Sequence, residues 1–136
     1  MNRFSAKSRS RLDTCDPRLQ KLFDKVLQEC DITILCGERT IEEQNEAFRT
    51  GHSKVKWPGS NHNVTTHEKK SGKKSRAIDI APYPIDWLNR DRFMHLAGIV
   101  IGIASTMDIK IRWGGNWDGG DLEQQSFDDL VHFELR

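Results

Sequence analysis

The sequence predicts an α+β fold in which helices pack against one small, largely antiparallel sheet. Apolar residues recur at helical spacing in two separated segments, around 17–30 and 91–107. Short segments of alternating or apolar character stand beside them at 32–36, 77–81, 109–113 and 131–135. The order of these segments suits helices gathered on a sheet rather than a repeat. At 136 residues the chain is most simply one domain, 1–136, long enough to bury a core.

Residues 1–15 are basic at the start, have no apolar run behind them, and are expected to be flexible. The pattern does not read as a secretory signal. Asp16-Pro17 then opens a helix, with Asp16 as cap and Pro17 at the first helical position. Leu19, Leu22, Phe23, Val26 and Cys30 give it one apolar face. Ile32, Ile34 and Cys36 alternate with Thr33 and Leu35 as a strand that Gly37 ends. Thr40-Ile41-Glu42-Glu43 has the form of a capping box and starts a helix running to about Arg49. Arg39 therefore falls at a strand-to-helix junction, where side chains often face a cleft.

From 52 to 76 the composition predicts a long basic loop with a mobile tip at 68–74. Ala77-Ile78-Asp79-Ile80-Ala81 reads as a buried strand carrying one carboxylate, closed by Pro82 and Pro84. Residues 91–107 form the most apolar helix, through Phe93, Leu96, Ala97, Val100, Ile101 and Ala104. Ile109, Ile111 and Trp113 mark a further strand, and 114–120 a glycine-rich turn. The last strand, 131–135, sets His132 and Glu134 on one face and Phe133 and Leu135 on the other.

A mean hydropathy of -0.67 suits a soluble globular protein, and a net charge of +1 by itself says nothing about partners. The charge is unevenly placed. Between 53 and 76 seven cations face the single acid Glu68, whereas from Asp118 onward six acids face Arg136 alone. The basic stretch lacks interleaved aromatics, which argues against nucleic acid as a partner. The apolar run 97–104 is too short to span a bilayer. Three cysteines, Cys15, Cys30 and Cys36, contain no Cys-x-x-Cys pair and are expected to be reduced, structural thiols.

Of the five histidines, His95 sits on the apolar helix and His52 in the lysine-rich loop, and neither needs a chemical role. The stretches around His62 and Asp79 and around His132 look like two halves of one metal site. Two imidazoles and a carboxylate suit a zinc ion that keeps a position for water. A carboxylate buried unpaired at Asp79 would cost several kcal/mol. A metal ion or Arg39 as ionic partner would each remove that cost.

Ser60-x-His62, Arg76-Ala77-Ile78-Asp79-Ile80-Ala81-Pro82-Tyr83, Arg112-Trp113-Gly114-Gly115-x-Trp117 and Phe127-x-Asp129-x-x-His132-Phe133-Glu134, in that order, resemble the LAS zinc peptidases. These include D-alanyl-D-alanine carboxypeptidases and phage L-alanyl-D-glutamate endopeptidases, and the Arg-Trp-Gly-Gly-x-Trp element is most similar to the endolysin branch. The resemblance implies a Hedgehog/D-Ala-D-Ala-peptidase-like fold. It implies Zn2+ held by His62, Asp79 and His132, Asp129 as general base, and Arg39 polarising the substrate carbonyl. Glu134 would support the ligand strand. Tyr83, Trp113 and Trp117 either wall the substrate cleft or pack in its core or rim. Sixteen residues separate His62 from Asp79, more than the family pattern has, which leaves His67 as an alternative first ligand.

The implied activity is hydrolysis of the L-alanyl-D-glutamate bond in peptidoglycan stem peptides by a monomeric phage endolysin. The protein would be made in the host cytoplasm and act on the wall after membrane permeabilisation. A D-alanyl-D-alanine carboxypeptidase and a noncatalytic zinc-stabilised wall-binding domain are the alternatives. The basic stretch would attract stem-peptide carboxylates or another anionic part of the envelope.

Overall fold

The computed structural model describes residues 2–116 and 129–136. In chain order these form α1 (Ala6–Leu12), α2 (Pro17–Glu29), β1 (Ile32–Cys36), α3 (Ile41–Arg49), α4 (Thr66–Lys70), β2 (Ala77–Pro82), α5 (Arg90–Thr106), β3 (Ile111–Trp113) and β4 (His132–Leu135). The four strands make one sheet in the order β1-β2-β4-β3, and every neighbouring pair is antiparallel. This is the α+β architecture predicted above.

Alternation along the two central strands separates the core from the polar face. Ile78, Ile80, Phe133 and Leu135 point into a core shared with Leu19, Leu22, Phe23 and Val26 of α2 and with Leu96, Ala97, Val100 and Ala104 of α5. Phe23 and Phe133 meet edge to face with ring centroids 5.9 Å apart. Asp79 and His132 are paired across β2 and β4, so both side chains leave the sheet on the face opposite the core. β1 carries an irregularity between Ile34 and Cys36, after which Cys36 stands opposite Asp79. Such a bulge re-aims the chain at the point where it turns toward Arg39.

Two local expectations are corrected. Residues 1–15, expected to be flexible, contain α1, which is capped by Ser5 and buries Ser8 and Leu12. The reason is the exposed edge of β1. Ile34 donates its amide to the Ser8 hydroxyl at 3.1 Å and accepts from the Arg11 guanidinium at 3.1 Å, so α1 satisfies backbone groups that no strand pairs. The basic loop 52–76 contains α4. Thr65 and Glu68 form a second capping box, with Thr65 Oγ1 accepting from the Glu68 amide and Glu68 Oε1 from the Thr65 amide. Lys69 ties α4 down through an ion pair to Glu38 at 2.7 Å.

The other elements form where expected, within a residue or two. Asp16 caps α2 by accepting from the Arg18 amide, and Thr40 and Glu43 form the capping box of α3. The glycine-rich turn is described only as far as Asn116.

Candidate active site

β2 and β4 bring two of the three proposed ligand atoms together directly, and the segment before α4 delivers the third. His132 Nδ1 lies 3.1 Å from Asp79 Oδ1, His62 Nε2 lies 3.2 Å from the same oxygen, and the two nitrogens are 3.2 Å apart. Donor atoms held about 2.0–2.1 Å from a tetrahedral ion stand roughly 3.3–3.4 Å from one another. The three atoms thus form nearly one face of such a tetrahedron, and all three residues are buried.

The outward nitrogens determine what the inward ones can do. Gly37 O lies 2.7 Å from His62 Nδ1 and accepts its proton, which leaves Nε2 bare. Glu134 Oε1 lies 2.8 Å from His132 Nε2 and plays the same part, so that the neutral imidazole carries its proton on Nε2 and offers Nδ1. Once His132 gives up the proton it shares with Asp79, two imidazole lone pairs and a carboxylate oxygen face one point. A divalent cation is the group that fits this donor set. Glu134 is itself held by Arg112 at 2.8 Å and by the Asn61 amide at 2.9 Å. Supporting bonds of this kind fix the orientation and basicity of a ligand imidazole.

Burial would raise the Asp79 carboxyl, but His62 and His132 outweigh it and hold the group well below the usual carboxylate range. For His132, burial opposes the charge, yet hydrogen bonds to Asp79 and Glu134 push the metal-free imidazole up to about 9. Glu134 is pulled down to about 2 against its own burial, by His132 and Arg112. Burial pushes the nearby Cys36 thiol up to about 11.

Asp129 stands half-buried just before β4. Burial first, and then the charge on Asp79, raise its carboxyl above the ordinary range, while His132, Arg39 and His62 pull the other way. Gly114 positions it. The Asp129 amide donates to Gly114 O at 2.8 Å, and the Gly114 amide donates to His132 O at 2.7 Å. A Cβ at Gly114 would lie 2.3 Å from Asp129 O, so only glycine allows this approach. Arg39 reaches Asp79 Oδ2 at 3.0 Å on the side away from the triangle. The ionic partner named for the buried Asp79, Arg39, is therefore present beside the three-residue cluster that could hold a metal ion.

His67, the alternative ligand, is exposed on α4 and is not part of the cluster. Of the two roles open to Trp113, packing is the one its surroundings show. It is only 5% exposed and belongs to the core, with its indole N–H donating to Leu130 O at 3.0 Å. Tyr83 is exposed beyond the end of β2, four residues from Asp79, or roughly 13 Å along the strand. Trp117 lies outside the described residues.

Sequence reasoning missed Gln44. It is fully buried on α3, and its Oε1 accepts from Arg39 at 3.3 Å and from Asn63 at 3.1 Å. Its Nε2 donates to Ser53 Oγ at 2.9 Å and Val55 O at 2.8 Å. A glutamine beside glutamates near a helix start reads as surface, so the pattern held no signal for it.

This geometry has relatives. The sequence pattern of the phage L-alanyl-D-glutamate peptidase family matches residues 1–136. The chain belongs to that family. An L-alanyl-D-glutamate peptidase from Escherichia phage T5 is 29% identical over 129 residues, covering 90% of this chain and 88% of the phage T5 protein. The crystal structure of the Serratia marcescens L-Ala D-Glu endopeptidase ChiX superposes with a TM-score of 0.71. That match has 23% identity and covers 98% of this chain and 89% of ChiX, which establishes a common fold. In this chain α4 lies between the first two of the motifs read from the sequence.

Proposed function

We propose that this family member is a zinc-dependent endolysin that hydrolyses the L-alanyl-D-glutamate bond of peptidoglycan stem peptides. One observation carries the reading. Two imidazole nitrogens and one carboxylate oxygen converge at 3.1–3.2 Å, each imidazole backed by an acceptor on its outer nitrogen, with Asp129 close enough for its carboxyl to feel their charges.

His62, Asp79 and His132 would hold the ion. When bound, zinc supplies a Lewis acid and lowers the pKa of water toward neutrality. Asp129 takes a proton from the attacking water and passes it to the departing amine nitrogen. A raised carboxyl pKa suits both transfers, because the group is a stronger base before the step and a usable acid after it. Arg39, held by Asp79 and Gln44, keeps further N–H donors for the carbonyl oxygen as negative charge develops there. The chain is read as one monomeric domain. It would reach the wall from the host cytoplasm after membrane permeabilisation, and no described helix is long and apolar enough to cross a membrane.

Metal analysis with mass spectrometry of digested muropeptides tests the proposal. Wild type should carry one zinc per chain and release peptides with a new D-glutamate amino terminus. Asp129→Asn should keep the zinc and lose about 10²–10⁴ in rate. Release of terminal D-alanine instead would make the protein a carboxypeptidase. Zinc and wall retention with no new amino termini would make it a binding domain.

A further inference from the structure

A groove of about 530 Å³ runs between the turn after α4 and the 58–63 segment, with Asp16 and Arg18 of the α2 start also in its lining. Its size lies within the range usual for ligand sites, about 300–1,000 Å³. None of His62, Asp79, His132, Arg39 and Asp129 lines it, so it is separate from the metal cluster.

Its charged lining is Asp16, Arg18, Glu68, Lys73, Lys74, Arg76 and Arg136. Both acids are already committed. Asp16 caps α2 and is bound by the Arg18 guanidinium through both oxygens at 3.1 Å, and Glu68 Oε1 accepts from the Thr65 amide at 3.1 Å. Those bonds keep both carboxyls below their ordinary range, so both stay ionised against the five cations of the lining. Lys73, Lys74 and Arg76 then dominate the field inside the groove.

The walls are tied to the rest of the molecule. Lys69 pairs with Glu38, the Lys74 ammonium donates to Asp13 O at 2.8 Å, and the Arg76 amide donates to Asn61 O at 3.0 Å. Asn61 lines the groove, hydrogen-bonds Glu134, and immediately precedes His62. The groove therefore shares a wall segment with the metal cluster.

We propose that this groove binds the carboxylates of a second peptidoglycan stem peptide, adjacent to the one being cut, and so retains the protein on its insoluble substrate. The inference rests on the function proposed above, which supplies a dense array of carboxylates linked to the scissile strand. Two contacts to one polymer raise its local concentration at the cleavage site without any new contact to the scissile bond.

Cosedimentation with purified, phosphate-polymer-free sacculi tests it, using Asp129→Asn so that the sacculi stay intact. Lys73→Glu/Lys74→Glu in that background should weaken binding by roughly tenfold or more at low salt, the difference shrinking as salt rises. Lys73→Gln/Lys74→Gln, which avoids placing acids in the groove, should show a smaller loss in the same direction. Amidating the sacculus carboxylates should remove the difference between the variants. In the active protein the double substitution should slow digestion of sacculi and leave cleavage of a soluble muropeptide within about twofold of wild type.

Equal sacculus binding by charge-reversed and unaltered protein, with native folding confirmed by circular dichroism, overturns the proposal. Binding that survives amidation overturns it too, and if inorganic phosphate competes for it the groove is a phosphate site. An equal loss on soluble muropeptide assigns the groove to the catalytic cleft and overturns a separate site. If no variant cleaves anything, the proposed activity fails while the amidation-sensitive binding still decides the groove.

Discussion

His132 sits between two carboxylates, and that arrangement sets how a metal ion competes with protons. In the metal-free protein the imidazole holds its proton up to about pH 9. Metal binding must displace that proton, so apparent zinc affinity should fall about tenfold for each unit of pH below 9, measured by chelator competition. A pH-independent affinity would contradict the assignment of His132 as a ligand. The same proton has a consequence for stability. Its folded pKa lies above the unfolded value of 6.5, so the metal-free chain gains stability from it below pH 6.5 and loses that gain as pH rises through about 9. Glu134→Gln keeps the shape but weakens the acceptor for His132 Nε2, and zinc affinity should drop roughly 10–100-fold in the same titration. Asp129 adds an acid limb to the rate profile. Since its carboxyl is raised, activity should fall on acidification at a higher pH than an ordinary aspartate would give.

At the scale of elements, the site depends on how α3 and the turn after β3 are seated. Gln44 links α3 to Arg39, Ser53, Val55 and Asn63 through buried hydrogen bonds. Gln44→Leu leaves those partners unsatisfied, and denaturant unfolding should report a loss of about 2–4 kcal/mol. Unchanged stability would mean that water replaces the side chain. Gly114 does for Asp129 what Gln44 does for Arg39. Gly114→Ala places a methyl against Asp129 O and Cβ and should lower kcat by roughly 10²-fold while zinc content stays at one per chain. Loss of zinc together with activity would instead show that β4 had moved as a whole.

For the whole molecule, the sheet has two faces with different duties. One buries Ile78, Ile80, Phe133 and Leu135 under α2 and α5, and the other gathers Asp79, His132 and Glu134. The ligands come from segments far apart in the chain, so an ion joining them binds the folded state and not the unfolded one. Zinc at about a thousand times its dissociation constant should then stabilise the fold by roughly 4 kcal/mol and raise Tm, an effect that a chelator reverses. A Tm indifferent to both would contradict a metal shared by His62 and His132.

Local chemistry made much of this legible before any coordinates. The caps at Asp16-Pro17 and Thr40-x-x-Glu43, the apolar run around Asp79 in Ala77–Pro82 and the alternation in His132–Leu135 are short-range patterns and specify their elements directly. The lone Asp79 between isoleucines announced a buried charge that needed a partner. Nothing short-range could say that α1 covers the edge of β1, because Ser8 and Arg11 meet Ile34 only after the chain folds back. The second capping box, Thr65-x-x-Glu68, was visible but masked by lysine-rich surroundings that read as loop. The chain alone fixed which residue types were available for a metal site. Tertiary structure decided that His62 rather than His67 joins Asp79 and His132 in the cluster that could hold an ion, and that Trp113 packs the core. It also decided that Gln44 and Gly114 hold Arg39 and Asp129 in place. Those choices depend on contacts between residues distant in sequence, which no local pattern encodes.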